Sequence, residues 1–222
     1  MYIYIYFGMN DDQAKIVELA LKGKSIFVTG PGGVGKSYVI NYIRINLKQK
    51  LVYVTAMTGC ASVLIKGMTL HSWSGLSPDK MEYTSEYIVE NMYFKAKQRW
   101  KKTKILIVDE VSMLSKTMFE KLNEIGQIIR KNKNPFGGIQ LIFCGDFFQL
   151  PPIVKNVKDD NEKFAFCSSI WESVFQNTTL ELTQIMRQKD EKFISILNKV
   201  RKGKIEEDVV KILRSRMDID YI

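Results

Sequence analysis

The residues with the clearest capacity for chemistry lie at Gly30-Pro31-Gly32-Gly33-Val34-Gly35-Lys36-Ser37, which fits G-x-x-x-x-G-K-[ST] between an apolar run and a helical pattern. The chemistry is anion binding. Backbone N–H groups of the turn formed by Gly30, Gly32, Gly33, Val34 and Gly35 can surround phosphate oxygens, and the helix N-terminus adds positive potential. Lys36 is expected to reach the β- and γ-phosphates, and Ser37 to bind magnesium. The plainer alternative is a tight strand-to-helix turn that happens to contain Lys-Ser. A phosphate loop needs a second, acidic element. Ile105-Leu106-Ile107-Val108-Asp109-Glu110 supplies one, an apolar strand ending in two carboxylates at the edge where such sheets bind ligands. Asp109 is expected to hold magnesium through water, and Glu110 to orient or deprotonate the attacking water. Adjacent Asp and Glu favour hydrolysis over transfer to a small acceptor.

Other segments offer chemistry with an alternative beside it. Gln13 follows Asn10 by three residues, which suits a capping box and equally a glutamine bonded to adenine; spacing leaves both open. In Gly145-Asp146-Phe147-Phe148-Gln149-Leu150-Pro151-Pro152, Gln149 is placed to sense a γ-phosphate, the prolines stiffen the loop, and both phenylalanines read as core. Arg187 suits an arginine finger or an ordinary surface position. Thr58, Gly59, His71 and Trp73 follow a strand and suit gripping and stacking on single-stranded DNA, with core packing an equal reading for Trp73. Six basic residues and no acid lie between Lys95 and Lys104, as for a phosphate backbone or a solvated face.

The elements that must position these residues alternate. Helical patterns at Asp11–Lys22, Lys36–Lys48, Lys116–Lys131, Glu191–Lys202 and Glu206–Arg214 are separated by short apolar strands at Ser25–Thr29, Leu51–Thr55, Ile105–Val108, Ile139–Cys144 and Leu180–Leu182. Such strands between helices imply a parallel sheet covered on both faces. Ser74–Lys104 is the least patterned stretch and reads as an insertion or a surface helix with loops.

Composition agrees with one globular domain: 222 residues, 45% hydrophobic and 26% charged, which excludes collagen-like, coiled-coil and largely disordered classes. No apolar stretch reaches the ~18 residues of a membrane span, so no membrane partner is expected. Met1–Gly8 is apolar and aromatic, without a basic leader or cleavage site, and reads as a strand or terminal packing. Three scattered cysteines and the single His71 form no zinc or disulfide pattern, which fits a reducing, intracellular setting. The net charge of +9 favours a polyanionic partner, nucleic acid first.

In combination, Asn10–Gln13, GPGGVGKS at 30–37, AMTGCAS at 56–62, GMTLHSW at 67–73, VDEVSM at 108–113, GDFFQLPP at 145–152, LTQIMRQ at 182–188 and FISILNKVRKG at 193–203 resemble the Pif family of superfamily-one DNA helicases, itself similar to RecD-type helicases. The resemblance implies an α/β fold, a RecA-like P-loop NTPase three-layer sandwich with a mainly parallel sheet. It implies an ATP- and magnesium-dependent motor moving 5′ to 3′ on single-stranded DNA. Gln13 would meet adenine, Gln149 and Arg187 the γ-phosphate, and Thr58 and His71 the DNA. The family's second-lobe motifs are not found in the 35 residues after Arg187. Residues 1–205 are therefore expected to be a first lobe and 206–222 a helical extension toward a second RecA-like lobe. The alternative is a fragment that binds single-stranded DNA or a protein without motor activity. A nucleotide kinase is disfavoured by the Asp-Glu pair and the 145–152 segment.

Overall fold

Short runs of branched and aromatic residues pair side by side, and the helices between them cover both faces. The computed structural model describes residues 8–47, 51–154, 163–188 and 190–215. In chain order these contain α1 (Asp11–Leu21), β1 (Ile26–Thr29), α2 (Lys36–Asn46), β2 (Val52–Ala56), α3 (Gly59–Leu64), β3 (Met68–Thr69), α4 (Leu70–Ser74), α5 (Ser85–Glu90), α6 (Phe94–Lys102), β4 (Ile105–Asp109), α7 (Lys116–Arg130), β5 (Gln140–Cys144), α8 (Ser169–Phe175), β6 (Thr179–Glu181), α9 (Glu191–Arg201) and α10 (Glu207–Arg214). The six strands form one parallel sheet in the order β3-β2-β4-β5-β1-β6. Ile26 faces Ile142, and Val54 faces Ile107.

Successive strand side chains point to opposite faces, and the two faces differ in character. Ile26, Val28, Ile105, Ile107 and Ile142 pack with Ile16, Val17, Val39, Ile40 and Ile43 of α1 and α2 in an aliphatic layer. Phe27, Leu106, Val108, Leu141 and Phe143 pack against α4 to α8 in a layer rich in rings, where Phe27 and Trp171 meet edge-on at 5.0 Å between centroids. The sheet is therefore covered on both sides, as expected, and its loops gather at two edges.

The expected elements form, with ends shifted by one or two residues. Two features differ. The two-residue β3 extends the sheet beyond β2. Ser74–Lys104 is an integral layer: Ile88, Met92, Ala96 and Trp100 are buried in the aromatic core, and the Trp100 indole donates to Ser74 O at 2.9 Å. The expected strand at the N-terminus falls largely on residues 1–7, outside the described residues, as does the end of the 206–222 extension beyond α10. Among the described residues no helix is long and apolar enough to cross a membrane.

Candidate functional site

The C-terminal ends of β1, β4 and β5 converge on the glycine-rich loop. Gly35 sits at the N-cap of α2 with φ 87°, and a Cβ there would lie 2.6 Å from Gln13 Nε2. Gly33 has φ 84°, and a Cβ would lie 2.9 Å from that of Arg187. Both positions combine a left-handed backbone with close approach, which glycine alone meets without strain. The same Gly33 carbonyl accepts from Met186 N at 2.9 Å and Arg187 N at 3.2 Å. Arg187 is thereby tied by its backbone to the loop while its side chain stays exposed.

Lys36 Nζ donates to Gly30 O at 2.8 Å and Pro31 O at 2.9 Å, so the lysine lies across the loop it follows. Ser37, the next residue of α2, is exposed. Beside them β4 ends in Asp109, which is buried and accepts from Glu110 N at 2.9 Å. Burial raises the Asp109 carboxyl above its ordinary value, against opposition from that N–H, the Cys144 thiol and the Lys36 charge. Burial and then the Asp109 charge raise Glu110, and Lys36 again opposes. The lysine and both carboxylates thus act on one another electrostatically. Glu110 adopts a left-handed backbone, φ 55°, uncommon for a residue with a Cβ. Sequence reasoning missed Cys144, a buried thiol at the end of β5 that hydrogen-bonds Asp109.

Of the two roles left open for Gln13, the structure shows the capping box. Its backbone N–H donates to Asn10 Oδ1 at 2.9 Å, and its Oε1 accepts from Asn10 N at 3.3 Å, closing the capping box. Its Nε2 still reaches Val34 O at 3.4 Å in the loop.

Gln149 belongs to a second assembly beside the loop. Its Nε2 donates to Asp146 Oδ2 at 3.3 Å. Asp146, 1% exposed, is gripped by both arms of Arg201, with Nε–Oδ2 2.6 Å and NH2–Oδ1 2.7 Å. Burial pushes the Asp146 carboxyl up, but the Arg201 bonds and the Phe148 N–H outweigh it and hold it below the usual range. A cavity of about 240 Å³ lies between Pro31 and Gly32 on one side and Asp146, Gln149 and Arg201 on the other. Sequence reasoning missed the Asp146–Arg201 pair; the only signal was an acid in the GDFFQ run and an arginine in the 193–203 helix. The reading of two core phenylalanines is half corrected. Phe147 packs against Phe27 at 5.5 Å, whereas Phe148 is exposed under the Arg201 guanidinium, 4.6 Å from its ring centroid.

The remaining candidates lie at the ends of β2 and β3. The Thr58 hydroxyl caps α3 by accepting from Ala61 N at 3.2 Å, and Gly59 is exposed. His71 is half-buried in α4, and burial lowers its pKa, leaving a neutral imidazole at pH 7. Trp73 must be removed from the DNA-contact set. It is fully buried with its ring centroid 4.4 Å from that of Trp100, so no base can stack on it. Arg99 of the basic run fastens α4 instead, donating to Trp73 O at 2.8 Å and Ser72 O at 2.5 Å.

A family model described as PIF1-like helicase matches residues 8–211. The chain is 40% identical over 218 residues to the ATP-dependent DNA helicase RRM3 of Saccharomyces cerevisiae, a match spanning 95% of this chain and 30% of that protein. It is 42% identical over 216 residues to the ATP-dependent DNA helicase PIF1 of Candida albicans, spanning 91% of this chain and 24% of that protein. The crystal structure of Pif1 helicase from Candida albicans superimposes with a TM-score of 0.84 at 41% identity, covering 91% of this chain and 46% of that one. Pif1 helicase from Bacteroides in complex with ADP-AlF3 and single-stranded DNA gives 0.81 at 28% identity, covering 96% and 50%.

Proposed function

The chain belongs to the PIF1-like helicase family, and on that premise we propose that residues 1–205 are the first, ATP-hydrolysing lobe of an intracellular 5′-to-3′ DNA helicase. Residues 206–222 lead toward a second RecA-like lobe. The observation that carries this is the convergence of Lys36, Asp109 and Glu110 in one electrostatic site, with Gln149 across a cavity from the loop and Arg187 tethered to Gly33. The Bacteroides relative that carries ADP-AlF3 and single-stranded DNA supports both ligand classes.

Magnesium fits the donor set. Ser37 and Asp109 offer the oxygen ligands a hard cation takes, and two carboxylates raised by desolvation beside one lysine favour added positive charge. Bound there, magnesium would neutralise phosphate charge. Lys36 would leave the loop carbonyls for the β- and γ-phosphates, and loop N–H groups would hold their oxygens. Glu110, with its raised affinity for protons, would take one from the attacking water as that water bonds the γ-phosphorus and the bridge to the β-phosphate breaks. Gln149 would register the γ-phosphate and pass its loss through Asp146 to α9, and Arg187 would offset charge. Gln13 would hold adenine. Thr58, Gly59 and His71 would contact the single-stranded DNA.

The test is ATP turnover by the purified chain with and without single-stranded DNA, beside Lys36→Ala. Removal of one charge-stabilising group costs about 10²–10³ in rate, so DNA-stimulated turnover should fall by at least about a hundredfold. Turnover that survives Lys36→Ala would overturn the site assignment. Salt-sensitive DNA binding with no turnover would make the chain a binding module.

A further inference from the structure

The net positive charge of this protein is unevenly placed along the sequence. Residues 91–108 carry six basic side chains and residues 125–145 carry three, Arg130, Lys131 and Lys133, and neither segment holds an Asp or Glu. The rest of the chain has 24 basic and 24 acidic residues. The whole excess of +9 therefore resides in these two segments.

The fold brings the end of the first segment, from Lys101 to Lys104, beside Arg130, Lys131 and Lys133 of the second, at the edge of the sheet opposite the phosphate loop. Helix α6 descends from α4, where Arg99 grips the Ser72 and Trp73 carbonyls, to Lys102, just ahead of the start of β4. There Arg130, at the end of α7, donates through NH1 to Trp100 O at 2.8 Å, Thr103 O at 3.0 Å and Lys101 O at 3.1 Å, and through Nε to Gly137 O at 2.6 Å. These bonds fix the backbones of α6 and of the turn after α7 against each other. Between Lys101, Arg130, Lys131 and Asn132 a cleft of about 370 Å³ is left. Lys101 and Lys131, which line it, are exposed, as are their chain neighbours Lys102, Lys104 and Lys133. Among the described residues none of the nine cations is in an ion pair.

Clustered like charges with no counter-charge repel one another, and here they are held on latched backbone. We propose that this edge is a second nucleic-acid site, which takes the phosphate backbone of duplex DNA while the opposite edge holds nucleotide and single strand. Phosphates are the group that ammonium point charges suit without reading sequence. Duplex rather than unpaired DNA follows from the rings. Single-strand sites stack bases on exposed aromatics, but Trp100 and Phe136 are buried at this edge, and the exposed Tyr93 and Phe94 lie at the far end of α6. The inference does not depend on ATP hydrolysis, and its test contains no ATP.

The experiment compares the 222-residue chain with a variant carrying Lys101→Ala, Lys102→Ala, Lys131→Ala and Lys133→Ala. Binding to a blunt duplex and to a single strand is titrated across salt concentrations. Each lysine on a duplex phosphate contributes about 0.9 to the slope of log affinity on log salt. The duplex slope should therefore fall by about 3.6, and duplex affinity at ~0.1 M salt by more than tenfold. Single-strand affinity should stay within about twofold, and arginines at the four positions should restore duplex binding. The double variant Lys101→Ala, Lys131→Ala, with an unchanged melting temperature, should show about half the slope change. An unchanged duplex slope, an equal loss on both DNAs, or a loss confined to anionic lipid vesicles would each overturn the proposal.

Discussion

Two arginines hold opposite edges of the sheet, and they grip different acceptors. Arg201 closes both arms on the buried carboxylate of Asp146, and those bonds raise its own affinity for the proton. Charge is cancelled there, and α9 is fastened to the loop that carries Gln149. Arg130 spends its donors on backbone carbonyls, and burial lowers its pKa. Among the described residues no carboxylate pairs with it, so that edge is stapled and stays positive. The same planar fork serves two ends. Where charges of both signs must act on one another, it neutralises; where charge must face outward, it organises backbone and leaves the field intact.

That contrast can be broken at either end. The largest effect is expected from Arg201→Met, because removing one partner of a buried pair strands the other at a cost of about 3–5 kcal/mol. This loss should depend on pH. The Asp146 carboxyl sits below its ordinary 3.8 in the folded chain. Its stabilisation is therefore complete above that value and fades as pH falls through and below it. Denaturant melts of wild type and variant should converge in that acidic range; parallel curves there would deny the pairing.

Arg130→Met should cost less, about 2 kcal/mol, since it leaves carbonyls rather than a carboxylate without donors. Its deficit should be flat between pH 4 and 8, in ~1-unit steps of the same melts, because no titrating partner is lost. Arg130→Lys should rescue little, as an ammonium lacks the planar fork. A deficit that vanished at low pH would mean that a carboxylate does pair with Arg130.

The smallest effect has the opposite sign. Burial raises the Asp109 carboxyl, so its ionisation costs the fold, and stability falls as pH climbs above 3.8 through the raised value. Asp109→Asn should melt later at neutral pH by about 1 kcal/mol, with the gain disappearing below 3.8. A variant less stable at pH 7 would show that the Cys144 and Glu110 bonds to Asp109 outweigh its desolvation.

Much of the chemical edge was legible because its signals are local. A glycine-rich turn between strand and helix, and an apolar run ending in Asp109 and Glu110, each sit within ten residues. What escaped were pairings across the chain. An arginine at the end of α9 reads as a complement to the helix dipole, and nothing near it points to Asp146. Trp73 and Phe148 were misplaced for a different reason. Two positions apart on a helix point to different sides, so His71 at the surface of α4 argues for an inward Trp73. Consecutive residues such as Phe147 and Phe148 seldom both face one core. The four-residue spacing of Ile88, Met92, Ala96 and Trp100 was also present, but a break between α5 and α6 and the lysines of α6 obscured it.

The place of β1 in the sheet has a consequence for how the molecule is made. Ile26 lies opposite Ile142, and Phe27 opposite Thr179, so both neighbours of the first strand come from the far half of the chain. A ribosome delivers the phosphate loop before the strand that closes its outer side, which follows only after β2 to β5 have emerged. Until β6 arrives, β1 has one bare edge, and bare edges recruit other chains. Expression boundaries drawn before Thr179 will therefore yield a polypeptide that contains the whole phosphate loop and yet gathers into aggregates.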